Sequence, residues 1–175
     1  MIKKFIRKIL GVKDQRDPTQ PVILGPAEHG IDPKLLSGNA VRVTQTLQEA
    51  GFKAFFVGGA VRDLLLGVKP KDFDIATDAT PEEVKKLFRR AFIIGRRFQI
   101  VHVMFGQELL EVTTFRGNAA VSAPKDEHGR VLRDNNFGPQ HEDAERRDFT
   151  INAMYYDPAT ESVLDYHGGI QDIRD

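Results

Sequence analysis

The chain has 175 residues, which is enough for one domain with or without a short tail. Lysine and arginine together number 25, as do aspartate and glutamate, so the chain lacks the basic excess of a dedicated nucleic-acid binder. The absence of cysteine excludes disulfides, cysteine-type zinc sites and thiol catalysis. No apolar run approaches the ~20 residues that span a bilayer, and no signal peptide is visible, which agrees with a cytoplasmic protein.

Residues 1–11 place apolar side chains at helical spacing, with basic residues on the opposite face. This pattern predicts a short amphipathic helix. It either contacts a membrane surface or another protein, or it packs on the domain or frays as a terminus. Residues 12–30 mix proline, glycine and charge, and they predict a linker around one short apolar stretch. We therefore divide the chain into an N-terminal segment, 1–30, and a domain, 31–175.

The domain is predicted to begin with a helix from 32 to about 50, because Asp32 is a suitable N-cap and Pro33 suits the first helical position. Thr80-Pro81-Glu82-Glu83 is a capping box that opens another helix. The remaining elements are predicted at strand 52–57, helix 60–66, strand 72–77, helix 81–90, strands 91–94, 100–105 and 108–115, loop 117–130, helix 141–154, and a strand pair near 155–156 and 163–164. This order predicts an α/β (α+β) fold, a small mixed sheet flanked by helices.

Asp72 and Asp74 occupy alternate positions of the predicted strand 72–77, so both side chains are expected on one side of the sheet. Two adjacent carboxylates raise each other's proton affinity, and a divalent cation between them relieves the repulsion. Carboxylate oxygens with open water positions suit Mg²⁺, or Mn²⁺ in its place, and favour phosphoryl transfer from a triphosphate. The alternative is a pair of solvated surface charges.

Gly58 and Gly59 follow the apolar segment FKAFFV and precede a predicted helix. Glycines at such a corner let backbone amides approach a triphosphate, and the start of a helix favours an anion. The stretch between Gly59 and Asp72 has room for one short helix and a return strand. The phosphate cradle and the metal ligands are therefore expected at the same sheet edge, although a glycine pair alone can be an ordinary turn.

The order of Gly-Gly, a short helix and D-x-D resembles the DNA polymerase beta-like nucleotidyltransferase superfamily. The segments FFVGGAVRDLLLG, KPKDFDIAT, LEVTTFRG and ERRDFTINAMYYD extend the match from about Phe55 to Asp175. They are similar to the head domain of the bacterial tRNA nucleotidyltransferase and poly(A) polymerase family. The resemblance implies a magnesium-dependent enzyme that adds nucleotides from a triphosphate to the 3′ end of RNA without a template.

The resemblance also implies roles for acidic residues. Asp72 and Asp74 match the metal-binding aspartates of the family, and both are expected to be catalytic. Asp148, within R-R-D-F-T-I-N, matches a further catalytic acid. Glu111 fits the third metal carboxylate of the superfamily, although its position in an apolar strand also allows it to face solvent.

A second set of residues is implied to contact the nucleotide: Gly58, Gly59, Arg62, Arg147 and Asn152. The planar fork of an arginine suits phosphate oxygens. Arg62 also has a structural alternative, an ion pair with its neighbour Asp63, and the R-R-D segment can be a solvated helix face. Arg96 and Arg97 either contact RNA phosphates or lie as charges on an edge strand.

Two branches of the family share these motifs, one adding adenylates to RNA and the other adding CCA to tRNA. The segments GRRFQIVHVMFG and VLRDNNFG look more like the poly(A) polymerase branch, which implies ATP as substrate and polyadenylation of RNA. Full members continue into helical neck, body and tail regions, so this chain is expected to be a fragment with little or no polymerase activity. A CCA-adding enzyme and a catalytically silent assembly module stay open as alternatives.

Overall fold

The computed structural model describes residues 16–118, 127–128 and 136–175. The amphipathic helix predicted at 1–11 and most of the loop predicted at 117–130 lie outside the described residues. No helix in the described part of the chain is long and apolar enough to cross a membrane.

In the part of the chain that the structure describes, eight strands form one mixed sheet in the order β1-β8-β7-β2-β3-β6-β5-β4. The strands are β1 (Val22–Leu24), β2 (Ala54–Val57), β3 (Asp74–Thr77), β4 (Ala91–Ile94), β5 (Ile100–Phe105), β6 (Glu108–Thr114), β7 (Met154–Asp157) and β8 (Ser162–Asp165). β3 and β6 pair in parallel, whereas the other pairings of these strands are antiparallel. The predicted α/β architecture with a mixed sheet is confirmed.

Within the described residues, six α-helices and two 3₁₀ helices accompany the sheet. They are α1 (Pro26–His29), α2 (Gly38–Glu49), α3 (Gly59–Leu65), α4 (Pro81–Leu87), α5 (Gln140–Glu145) and α6 (Gly169–Arg174), with the 3₁₀ helices at Pro33–Leu35 and Thr150–Asn152. The capping box predicted for α4 is present, since Thr80 Oγ1 accepts from the Glu83 amide and the Glu83 carboxylate accepts from the Thr80 amide.

The main core lies on one face of the sheet, against α2, α3 and α4. Phe56 is fully buried at its centre, with ring centroids 5.2 Å from Phe73 and 5.9 Å from Tyr156. A smaller cluster occupies part of the opposite face, where Tyr155 and Phe115 pack with Ala144 of α5. Over β4, β5 and β6 this second face keeps large apolar side chains exposed.

Two predictions around the start of the domain are corrected. Val22–Leu24, within the predicted linker, forms the edge strand β1 against β8. His29 is buried, and its Nε2 lies 2.8 Å from the Glu161 carbonyl oxygen, so this segment packs on the domain. The single helix predicted from 32 to 50 is two helices, because Ser37 is extended and its hydroxyl caps α2 at the Ala40 amide.

The helix predicted at 141–154 is also wrong beyond residue 145. α5 ends at Glu145, Phe149 is extended, and the 3₁₀ helix leads directly into β7. The cause is tertiary, since Tyr155 and Tyr156 pair with β2 and are buried there. Sheet pairing in the core overrides a local helical pattern of this length.

Candidate active site

Asp74 and Glu111 lie side by side on neighbouring strands. Asp74 is the first residue of β3, and the parallel register pairs it directly with Glu111 of β6. Burial raises the pKa of Asp74, and the nearby charges of Glu111 and Asp72 raise it further, while Arg147 opposes the shift. The protein therefore holds like charges close together, and a cation at this position would relieve their repulsion.

Asp72 lies in a bend before β3, so its predicted place inside the strand is wrong. Phe73 between the two aspartates is 4% exposed and packs on Phe56, which anchors the bend in the core. Asp72 is exposed, and its charge contributes to the raised pKa of Asp74. The two carboxylates are thus neighbours because an aromatic anchor, rather than strand alternation, positions the first of them.

A cavity of about 590 Å³ opens beside these acids. It is lined by Lys71, Asp72, Phe73, Asp74, Gln107, Glu108, Leu109 and Glu111. Among the described residues, no three His, Cys, Asp or Glu side chains converge closely enough to hold a metal as a closed cluster. The donor set still fits Mg²⁺, which is usually held by one or two carboxylates and completes its shell with water and substrate phosphates.

The glycine corner lies next to Asp74, because Val57 at the end of β2 pairs with Asp74. Gly58 follows with φ 74° and ψ −138°, a conformation that residues with a Cβ rarely adopt. A Cβ at Gly58 would lie 3.6 Å from Nη1 of Arg147, and one at Gly59 would lie 3.3 Å from Nη2 of Arg62. Both arginines predicted to contact the nucleotide therefore border this corner.

Arg62 links two of the motifs found in the sequence. Its Nη1 donates to Oδ1 of Asn152 at 3.0 Å, and its Nε and Nη2 donate to Oδ1 of Asp63 at 3.1 and 3.0 Å. The ion pair with Asp63, which was the structural alternative for Arg62, is therefore present together with the contact to Asn152. The structure brings Arg62 and Asn152 into one assembly beside the corner.

Arg147 is held by a buried network that sequence reasoning missed. The Asp143 carboxylate accepts from Arg147 Nη2 at 3.2 Å, from the Tyr155 hydroxyl at 2.6 Å and from the Arg116 amide at 2.9 Å. Burial raises the pKa of Tyr155 above its usual range, so the phenol stays protonated and donates. The available signals were the i,i+4 spacing of Asp143 and Arg147 and a tyrosine in a buried strand.

Asp148 lies apart from this arrangement, whereas His102 borders it. Asp148 is exposed in the turn after α5 and is not among the residues that line the carboxylate cavity. His102 faces Glu111 across the β5–β6 pair, with Nε2 3.4 Å from the Glu111 Oε1. The structure thus brings Asp72, Asp74 and Glu111 together but leaves Asp148 outside that group.

Comparisons with known proteins agree with this geometry. The family profile described as "Poly A polymerase head domain" matches residues 54–175. "Poly(A) polymerase I" of Escherichia coli O157:H7 is 46% identical over 99% of this chain and 40% of that protein, and the "CCA-adding enzyme" of Lactobacillus helveticus is 42% identical over 77% and 33%. The crystal structure of the Bacillus stearothermophilus CCA-adding enzyme in complex with CTP aligns with a TM-score of 0.63 and 37% identity, over 82% of this chain and 32% of that one.

The chain spans about 40% of the length of the first of these curated relatives. The family profile covers more than two thirds of the chain, including both glycines, the carboxylates Asp72, Asp74 and Glu111, and the R-R-D-F-T-I-N segment. From this match, the chain belongs to the poly A polymerase head domain family.

Proposed function

We propose that the protein transfers AMP from ATP to the 3′-hydroxyl of RNA and releases pyrophosphate, as a polynucleotide adenylyltransferase in cytoplasmic RNA processing. The observation that carries this proposal is the Asp74–Glu111 pair beside the glycine corner and Arg147. The match to poly(A) polymerase I over 99% of the chain, against 77% for a CCA-adding enzyme, supports adenylate addition over CCA addition.

In the proposed reaction the 3′ oxygen of RNA forms a bond to the α-phosphorus of ATP. The bond from that phosphorus to the oxygen bridging the β-phosphate breaks, pyrophosphate leaves, and the hydroxyl proton passes to solvent. Mg²⁺, or Mn²⁺ in its place, supplies the Lewis acid that activates the hydroxyl and neutralises the leaving group when bound. Asp72 and Asp74 are proposed to hold this cation, with Glu111 as a third catalytic carboxylate and Asp148 as a further acid.

The glycine corner and its two arginines are proposed to bind the triphosphate. Gly58 and Gly59 leave the backbone accessible, and the Arg147 Nη1 is directed toward this corner. Arg62 and Asn152 are hydrogen-bonded to each other, so they are proposed to contact the nucleotide as a unit. Asp143 accepts one hydrogen bond from the Arg147 Nη2 and so orients the guanidinium, whose Nη1 is proposed to bind phosphate oxygens.

The test of the chemistry is incubation of the intact protein with labelled ATP or CTP and either an unstructured RNA or a tRNA that lacks its CCA end. Long tails made only of adenylate on the unstructured RNA would support the proposal. Addition that stops once CCA is complete on the tRNA would support the CCA-adding alternative.

A binding module of another class makes different predictions. Metal-dependent nucleotide binding that disappears in Asp72→Ala and Asp74→Ala supports the enzyme. A docking module would be indifferent to both changes and would respond instead to Phe5→Ala, in the segment proposed to contact a membrane surface or a protein. Equilibrium binding of a fluorescent ATP analogue, with and without Mg²⁺, distinguishes the two.

A further inference from the structure

A row of side chains joins the carboxylates to the edge of the sheet. The strand register pairs Asp74 with Glu111, Glu111 with His102, and His102 with Phe92 on the edge strand β4. Directly paired residues point to the same face of a sheet, so these four side chains share one face. Phe92 lies three strand spacings from Asp74, about 14 Å at ~4.8 Å a strand.

The face around this row is apolar but open to solvent. Phe92 is 54% exposed, Ile94 is 45% exposed and Leu109 is 43% exposed, and all three lie on the face that carries Asp74 and Glu111. Phe98, in the turn after β4, is 43% exposed. An exposed patch of large apolar side chains beside a polar site is typical of a surface that contacts another molecule.

Arginines border the patch at both ends of β4. Arg89 and Arg90 precede the strand and are exposed, and Arg96 and Arg97 follow it and are exposed. The Arg116 guanidinium lies over the Phe98 ring, with its central carbon 4.3 Å from the ring centroid. Aromatic platforms interleaved with cations suit single-stranded nucleic acid, because bases stack on the rings and phosphates pair with the cations.

We propose that this open face of β4, β5 and β6 receives the 3′-terminal nucleotides of the RNA acceptor. Phe92 serves as a stacking platform for a base, and Arg96 and Arg97 contact the backbone phosphates. The inference rests on the proposed function, since the 3′-hydroxyl must reach the carboxylates at the inner end of the same row. The last few nucleotides of a single strand can bridge the distance from Phe92 to Asp74.

An RNA occupant fits the composition of this face better than a protein segment does. A protein segment would need the apolar area alone, and leucine would serve it as well as phenylalanine. The exposed arginines at both ends of the edge strand favour a polyanion, and the Arg116–Phe98 stack has the geometry of cation and ring that RNA-binding surfaces use. The experiment must therefore distinguish a requirement for an aromatic ring from a requirement for apolar area alone.

The experiment measures AMP transfer to a short unstructured RNA by the intact protein, with the KM for RNA and the KM for ATP determined separately. Phe92→Ala and Phe92→Leu are expected to raise the KM for RNA about five- to tenfold, the loss of one base–aromatic stack, and to leave the KM for ATP unchanged. Phe92→Tyr keeps the ring and is expected to retain the wild-type value. RNA carrying 4-thiouridine near its 3′ end is expected to cross-link to β4.

Ile94→Ala and Ile23→Ala form a matched pair on the two edge strands of the same sheet, and both isoleucines are exposed. Only the Ile94 change is expected to raise the KM for RNA. If Phe92→Leu behaves as wild type, or if both isoleucine variants leave the KM for RNA unaltered, the inference is wrong and the face serves a protein contact instead. A wild-type protein that transfers no AMP at all would instead refute the proposed function.

Discussion

The Asp143 network predicts a large stability loss from one substitution. Asp143 is 7% exposed and accepts three hydrogen bonds, from Arg147, Tyr155 and the Arg116 amide. Asp143→Ala leaves the Arg147 guanidinium without its counter-charge in a largely buried position, and removing one partner of such a pair costs about 3–5 kcal/mol. Asp143→Asn also removes the counter-charge but keeps the shape and one acceptor oxygen, so its cost is expected to be smaller, about 1–3 kcal/mol.

The assay is urea unfolding at equilibrium, with the free energy of unfolding obtained from the midpoint and slope. Asp32→Ala is the matched control, because Asp32 is exposed and caps a 3₁₀ helix through the Lys34 amide, a contact whose loss costs about 1 kcal/mol. If Asp143→Ala is no more destabilising than Asp32→Ala, the network does not hold Arg147. Nucleotide binding supplies a second readout, because Asp143→Asn is expected to weaken ATP binding whereas Asp32→Ala is not.

Three further changes test other parts of the structure. The pKa of Asp74 is raised in the folded protein, so its charge opposes folding near neutral pH and this cost disappears as the pH falls through the raised value. Asp74→Asn is therefore expected to raise the thermal midpoint of the metal-free protein near neutral pH, to reduce the difference from wild type at lower pH, and to abolish stabilisation by Mg²⁺. A variant that is less stable than wild type without metal would contradict this reasoning. Gly58→Ala forces a Cβ into φ 74° and is expected to cost about 1–3 kcal/mol in urea unfolding and to weaken ATP binding, whereas an unchanged midpoint would show that the corner relaxes freely. Thr80→Ala removes the α4 cap far from the corner and is expected to cost about 1 kcal/mol while leaving the KM for ATP unaltered.

Local signals in the sequence predicted some elements to the residue. The bounds of β4 and β5 agree with the prediction, because each is a short apolar run that ends at a turn. The capping box at Thr80 is a contact between residues three apart, so the sequence contains all of it. Elements of this kind depend on neighbours along the chain, and single-sequence reasoning is suited to them.

Elements that depend on distant partners were missed. β1 exists because Val22–Leu24 pairs with β8, more than a hundred residues away in the chain, and no local pattern indicates that pairing. The helix predicted through residue 154 failed for the same reason, since Met154 already belongs to β7 and pairs with Asp165 of β8. A pattern of a few residues is compatible with more than one structure until tertiary packing selects one.

The residues of the candidate site also differ in whether neighbours along the chain or distant partners determine their positions. Asp72 and Asp74 are close in sequence, so their proximity was predicted, although the bend anchored by Phe73 was not. Glu111 was placed only by resemblance, because its position opposite Asp74 depends on the register of a parallel pair that periodicity does not reveal. Asp143 was missed because its partners come from three segments: the turn after α5, the strand β7 and the Arg116 backbone.

The charges around the glycine corner differ in how the protein compensates them. Arg147 has Asp143 as a counter-ion, and its Nη1 borders Gly58. The positive charge of Arg147 lowers the pKa of Asp74, but burial and the charge of Glu111 outweigh this effect, so the pKa of Asp74 is raised. The corner therefore presents a cation that has one counter-ion on one side and repelling carboxylates on the other.

A ligand that compensates the charges on both sides of the corner must carry a positive and a negative charge itself. A free cation would satisfy the carboxylates, and a free anion would use only the arginine. A triphosphate with a divalent cation attached carries both charges at adjacent atoms, so the proposed acidic ligands would hold its cation and the glycine corner would receive its phosphates. Without that ligand, the repulsion between Asp74 and Glu111 lowers the stability of the folded protein. When the ligand is present, relief of this repulsion contributes to its binding free energy.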